Sequence, residues 1–337
     1  MKRWQLWIGL VVSLFFLYWA YQQVNSLGNV ARAMGQANYI VLIPALVLYF
    51  LGVWLRAARW RFLLTPVKKI PPERLFPIVV IGYMANDVLP ARMGELVRAY
   101  VLGQKELVSK SAGLATILVE RVFDGVVLLL FAVLISFLVP FGQGLQDIVR
   151  ITSVVFAAAI AVFFFLGYSP RLTTRAAGVL VKAAPVPLRH RMEKMAQSFV
   201  GGLQAMQRGK LLAYTLSLTA GAWLCEAGMY YLISIGFDLR QPFYVLVLAT
   251  VVANIGTMIP SSPGYVGTFE ALSVFVLVLF GANPDLAMSY TIVLHVALLV
   301  PVTLLGFFYL WKSELSLTTI TRVPVAESST AGGQEVR

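Results

Sequence analysis

Apolar residues fall into long runs separated by short polar connectors. Trp4–Ala20 is the first run, set behind Lys2 and Arg3. It has the basic flank of a signal peptide. The small-residue triplet Ala31-Arg32-Ala33 lies far downstream, so the run reads as an uncleaved first helix. Tyr39–Leu55 is the second, closed by Pro66, Pro71 and Pro72 in a stretch carrying Arg56, Arg59, Arg61, Lys68, Lys69 and Arg74. Ala112–Val139, Ile151–Tyr168, Leu211–Ile235 and Leu286–Trp311 read as further spans. Two regions differ. Leu75–Leu89 is shorter than the roughly 20 residues a span needs and stops at Pro90. Phe243–Ile259 and Gly264–Phe280 are two short runs joined at Pro260-Ser261-Ser262-Pro263. The pattern predicts an all-α polytopic protein with about six or seven full transmembrane helices and two broken, re-entrant hairpins.

Composition narrows the class. The 337 residues are 59% hydrophobic and 12% charged, about half the charge of a soluble domain. Soluble enzymes, nucleic-acid binders and disulfide scaffolds fit poorly. One cysteine, Cys225, allows no internal disulfide, and one cysteine with two histidines leaves no His/Cys metal site. No metal or cofactor is expected. A net charge of +12 does not imply nucleic acid, because its meaning depends on which side of the membrane carries it. With the N-terminus in the cytoplasm, every Lys and Arg except Arg32, Arg150, Arg240 and the intramembrane Arg121 falls on the cytoplasmic side. That face would suit anionic lipid headgroups. The basic connector Ser169–Lys210 reads as surface-lying helices. Residues 1–311 read as one membrane domain and 312–337 as a disordered cytoplasmic tail. In this orientation the two hairpins enter from opposite sides.

The two breaks resemble each other. The first reads Asn86-Asp87-Val-Leu-Pro90-Ala-Arg92-Met-Gly94-Glu95, and the second runs from Asn254 through Pro260, Ser261, Ser262, Pro263, Gly264 and Gly267 to Glu270. Each has Asn, an aliphatic residue before Pro, then Gly, then Glu. Paired interrupted segments are the sequence pointer to a transporter site, with a possible inverted repeat; two independent kinks are the plainer reading. Each break should open a helix, with Pro90 starting Ala91–Leu102 and Pro263 following an N-cap at Ser262. A helix start inside a membrane presents free N–H groups to an anion. Arg92, Glu95 and Arg98 share a helix face and can hold a phosphate, or be solvated on the cytoplasmic surface.

Glu120, Arg121 and Asp124 sit within one long apolar helix. Each charge there costs about 2.5 kcal/mol or more at mid-membrane, so they should face inward and pair. A structural ion-pair cluster and a charged wall along a lipid path both remain open. Glu226 and Glu270 are single acids among apolar neighbours, each either a neutral hydrogen-bonded carboxyl or a proton-coupling site. His295 reads as a hydrogen-bonded packing residue.

NDVLPARMGELVRA at 86–99, ERVFD at 120–124 and IPSSPGYVGTFEA at 259–271 resemble the flippase-like membrane family related to the transmembrane region of lysylphosphatidylglycerol synthases. The resemblance implies a multi-pass protein of a bacterial inner membrane; the basic-residue orientation places both termini in the cytoplasm. It implies binding or translocation of a polar lipid, either a phospholipid or a polyprenyl-linked or glycosylated one. The synthases of that family carry a further soluble domain that this chain lacks, so aminoacyl-lipid synthesis is not expected. The alternatives are a membrane subunit or enzyme of lipid-linked aminoacyl or glycosyl modification, or a scaffold for such an enzyme. A homo-oligomer or a lipid-modifying enzyme partner fits this reading.

Overall fold

The computed structural model describes residues 3–89, 93–138, 209–257 and 261–313, with residues 154, 158 and 178. Among these every regular element is helical, as the run pattern predicts. The helices are α1 (Arg3–Gln22), α2 (Leu27–Gln36), α3 (Leu42–Leu64), α4 (Pro72–Val88), α5 (Gly94–Glu106), α6 (Lys110–Leu138), α7 (Gly209–Gly236), α8 (Phe243–Gly256), α9 (Thr268–Leu279) and α10 (Pro284–Lys312). Short 3₁₀ turns occupy Tyr39–Val41 and Pro263–Tyr265. Two stretches, Tyr39–Leu64 and Pro284–Lys312, are long and apolar enough to cross a membrane alone. Gly9–Gln22, Phe243–Gly256 and Pro263–Leu279 are shorter apolar helices. The expected span Ile151–Tyr168, the connector Ser169–Lys210 and the tail after Ser313 lie outside the described residues, apart from the few positions noted.

The outer surface is apolar in helical stripes. Val296, Val300, Leu304, Phe308 and Trp311 run down one side of α10, and Ile40, Ile43, Val47 and Leu51 run from the 3₁₀ turn down α3. Such i, i+4 rows face outward where the surroundings are lipid tails, not water. Inside, small residues bring helices close. Gly306 of α10 lies against Met84 and the Val80 carbonyl of α4, and Gly52 of α3 lies against the Ala222 carbonyl of α7.

Three local outcomes differ from the run pattern. The second helix does not end at Leu55 but continues to Leu64, because Arg56 and Arg59 find buried partners and need not end the apolar segment. Arg56, Arg59 and Arg98 are therefore core residues, and they drop out of the cytoplasmic charge count. α2 is the second outcome. It docks through short polar groups with no periodic signature. Asp285 at the start of α10 accepts from the Asn25 and Ser26 amides at 2.7 and 3.2 Å and from Asn29 Nδ2 at 3.0 Å. Ser289 Oγ donates to the Val30 carbonyl at 3.0 Å. Helix starts at the breaks are the third. The helix after the first break begins at Gly94, not Ala91, and Pro90, Ala91 and Arg92 lie outside the described residues. After the second break Ser262 precedes a 3₁₀ turn without a side-chain cap, and α9 begins only at Thr268. Pro263 thus starts a turn, because Gly264 (φ 68°) and Gly267 (φ 95°) reverse the backbone before the helix can form.

α4 and α5 close on each other through two glycines. Asn86 Oδ1 accepts from the Gly94 amide at 2.7 Å. A Cβ on Gly94 would meet the Gly82 carbonyl and the Asn86 carboxamide. Gly94→Ala should therefore cost about 1–3 kcal/mol through overpacking. Gly125→Ala, whose added Cβ meets nothing within 4 Å, should leave stability unchanged or slightly raised. Thermal unfolding of both variants in detergent, read by the melting temperature, checks this.

Candidate functional site

Four arginines and four carboxylates meet between α3, α5, α6 and α7. Arg59, with no exposed surface, lies 2.5 Å from Asp124 and 3.2 Å from Glu120 and also donates to Thr219 Oγ1 at 3.0 Å. Arg98 forms a two-pronged bond to Glu120 at 2.8 and 3.1 Å and stacks 4.2 Å from the Trp60 ring. Trp60 Nε1 donates to Thr116, and Trp223 Nε1 donates to Asp124. Arg56 pairs with Glu226 at 2.7 Å and lies over the Trp223 ring. Helical spacing explains the convergence. Arg56, Arg59 and Trp60 lie on one face of α3, continuing the buried positions Gly52 and Val53. Glu120 and Asp124 are one turn apart on α6.

Arg121 is the exception. Its ion pairs are long, 3.6 Å to Glu95 and 3.5 Å to Asp124, and its side chain is 33% exposed. It borders a cavity of about 140 Å³ shared with Arg56, Tyr83, Asn86, Asp87, Glu226, Asn254 and His295. Leu298, Leu299 and Val302 of α10 supply an apolar wall.

Both breaks reach this cavity. The Asp87 carbonyl lies 3.6 Å from where a Cβ on Gly264 would sit. Asp87 Oδ2 accepts from Thr303 at 2.8 Å, and Asn254 Nδ2 donates to Glu226 at 2.9 Å. The leading amide at each helix start is taken by an internal acceptor: Gly94 N–H by Asn86, and Gly267 N–H by Glu270 at 2.6 Å. Glu270 Oε1 meets His295 Nδ1 at 2.5 Å, and His295 Nε2 donates to the Gly264 carbonyl at 2.9 Å.

Of the residues singled out in the sequence, Asn86, Asp87, Arg121, Glu226, Asn254 and His295 border the cavity. Arg98 and Glu120 pair with each other behind it, and Glu95 and Asp124 hold Arg121 at its edge. Ser261 is hydrogen-bonded to Thr268, and Ser262 N–H donates to Ser13 Oγ of α1 at 2.9 Å. Pro263, Gly264 and Gly267 form the turn, Gly94 opens α5, and Pro90, Arg92 and Pro260 lie outside the described residues. Arg56, Arg59, Trp223 and Ser13 escaped the sequence reading. The signal for the first two was present: Arg56 and Arg59 share a face at i, i+3, whereas Arg61 points outward.

The family model for the lysylphosphatidylglycerol synthase TM region matches residues 6–306. A UPF0104 membrane protein of Methanothermobacter thermautotrophicus is 25% identical over 79% of this chain and 83% of its own length. Glycosyltransferase AglD of Haloferax volcanii is 27% identical over 91% of this chain but only 54% of its own length, so the chain spans about half of that relative. UPF0104 membrane protein PH1989 of Pyrococcus horikoshii is 21% identical over 93% and 97%. No solved structure matches.

Removing one member of a buried ion pair strands the other at a cost of roughly 3–5 kcal/mol. Arg59→Met should accordingly lower the melting temperature sharply in detergent, or prevent accumulation, whereas Arg61→Met on the exposed face of the same helix should change it little.

Proposed function

This chain belongs to the family of the lysylphosphatidylglycerol synthase TM region, and from that premise we propose that it binds the polar headgroup of a membrane lipid where its two helix breaks meet, and moves that headgroup across the bilayer. The observation that carries the reading is the cavity itself. It is bounded by the ends of both interrupted segments and by one arginine, Arg121, held only by long ion pairs. A partly exposed guanidinium held only by long ion pairs beside a cavity is a group that can donate to a phosphate. Asn86, Asn254 and Tyr83 would add hydrogen bonds, and Leu298, Leu299 and Val302 suit the first carbons below the headgroup.

The internally capped helix starts move the anion reading from the backbone amides to Arg121. Arg98, buried against Glu120 and Trp60, serves as a framework residue. Two interrupted hairpins of opposite sense would let the cavity open to one side at a time. Similarity to Glycosyltransferase AglD favours a second version of the same reading, in which the headgroup is a sugar carried on a lipid phosphate.

Purified protein in vesicles containing a headgroup-labelled phosphatidylglycerol, or a labelled polyprenyl phosphate sugar, tests this. Transbilayer movement of one of the two should depend on the protein. Losing a charge-assisted bond worth about 1.5–3 kcal/mol, Arg121→Ala should weaken retention of that lipid about ten- to a hundredfold, with Arg121→Lys intermediate. Movement unchanged by Arg121→Ala and by Asn254→Ala would overturn the reading.

A further inference from the structure

The second break is held by one histidine that bonds to it at two points. His295 of α10 is buried and stacks on Phe269 with ring centroids 4.3 Å apart. Its Nε2 faces the Gly264 carbonyl at 2.9 Å. A carbonyl oxygen can only accept, so Nε2 carries a hydrogen. Its Nδ1 faces Glu270 Oε1 at 2.5 Å, while Glu270 Oε2 already accepts the Gly267 amide at 2.6 Å. A bare Nδ1 lone pair against a carboxylate oxygen at that separation is repulsive. The contact therefore requires one further proton, shared between Nδ1 and Oε1.

We propose that His295 and Glu270 form the binding site of a coupling proton, which latches the second break closed when bound and releases it when lost. The hinge is in place: Tyr265 holds a φ of 61°, a left-handed conformation that a residue with a Cβ keeps only when surrounding contacts hold it, and it is flanked by Gly264 and Gly267 at 68° and 95°, which adopt such angles freely. With the shared proton gone, the ring and the carboxylate repel, and the Gly264 carbonyl and Gly267 amide lose their anchors together. His295 borders the cavity, which gives the proton a path. The charged and titratable groups around it are Asp87 on α4, close enough to interact electrostatically with His295, Arg56 on α3, Arg121 on α6 and Glu226 on α7, with Tyr49 and Tyr83 also bordering the cavity. This deepens the headgroup reading, since the latch sits at the cavity wall, but its first readout needs no lipid substrate.

The test uses the full chain in lipid nanodiscs of neutral phosphatidylcholine. Hydrogen–deuterium exchange of residues 261–270, corrected for intrinsic exchange, is followed from pH 5 to 9. The closed state binds one proton more than the open state, so exchange should rise about tenfold per pH unit above the midpoint. Glu270→Gln should stay protected across the range, because its carboxamide can accept from Gly267 and donate to Nδ1 without a shared proton. His295→Ala should exchange fast at every pH. Protection independent of pH in the unmodified chain, or the same pH dependence in Glu270→Gln, would overturn the latch. Proteoliposomes then separate the two proposals. If the latch responds to pH and neither labelled lipid moves, the headgroup reading fails and the proton site stands. If lipid moves with no pH response in residues 261–270, the reverse holds.

Discussion

Charge placed among lipid-facing helices has to be neutralised by protein, and here that requirement ties the bundle together. Arg56, Arg59, Arg98 and Arg121 face Glu95, Glu120, Asp124 and Glu226 across α3, α5, α6 and α7. A buried ion pair adds little net stability over apolar packing, but it penalises every arrangement that separates its members. Register between these helices follows from that penalty. α3 cannot slide along α7 without stranding Arg56, nor along α6 without stranding Arg59. The tryptophans reinforce the arrangement: Trp60 lies between Arg98 and Thr116, and Trp223 between Arg56 and Asp124.

The same network explains where an unsatisfied charge can remain. Arg59 and Arg98 form short ion pairs and lie behind the cavity. Arg121, one residue after Glu120, points to the side where the helix breaks leave space, and its acids stand off at 3.5 and 3.6 Å. The breaks make that space because neither segment continues as a helix: Asn86 turns back to cap Gly94, and Gly264 and Gly267 reverse the chain ahead of α9. α1 braces the second break through Ser13, and α10 braces it through His295. The proposed headgroup site and the proposed proton site therefore share one irregular wall.

Much of this was legible from residue order. The apolar runs predicted α1, α4, α6, α7, α8 and α10 to within a few residues, because a segment facing lipid or core must be apolar over its length. The polar interruptions at Asn86–Glu95 and Asn254–Glu270 marked the cavity region, since such residues are costly in a membrane without a purpose. The inward pairing of Glu120 and Asp124 followed from the same cost. α2 was not legible, because it docks through single hydrogen bonds to Asp285 and Ser289 and not through an apolar stripe. Arg56 and Arg59 were misread as the basic end of a span, because a charge next to an apolar run looks the same whether it meets water or a buried carboxylate.

The sequence by itself determined the class of protein, most of the helical elements and the two places where helices break, since these depend on local hydropathy, proline and glycine. Only the tertiary structure decided which charges cancel and which are left over. Arg98, read as cytoplasmic, is paired with Glu120 inside the core, while Arg121, read as intramembrane, borders a cavity. Glu270 and His295 are 25 residues apart and carry no common motif, and they become a pair only because α9 and α10 pack side by side. Pairing between distant residues depends on how helices meet, and no local pattern encodes that.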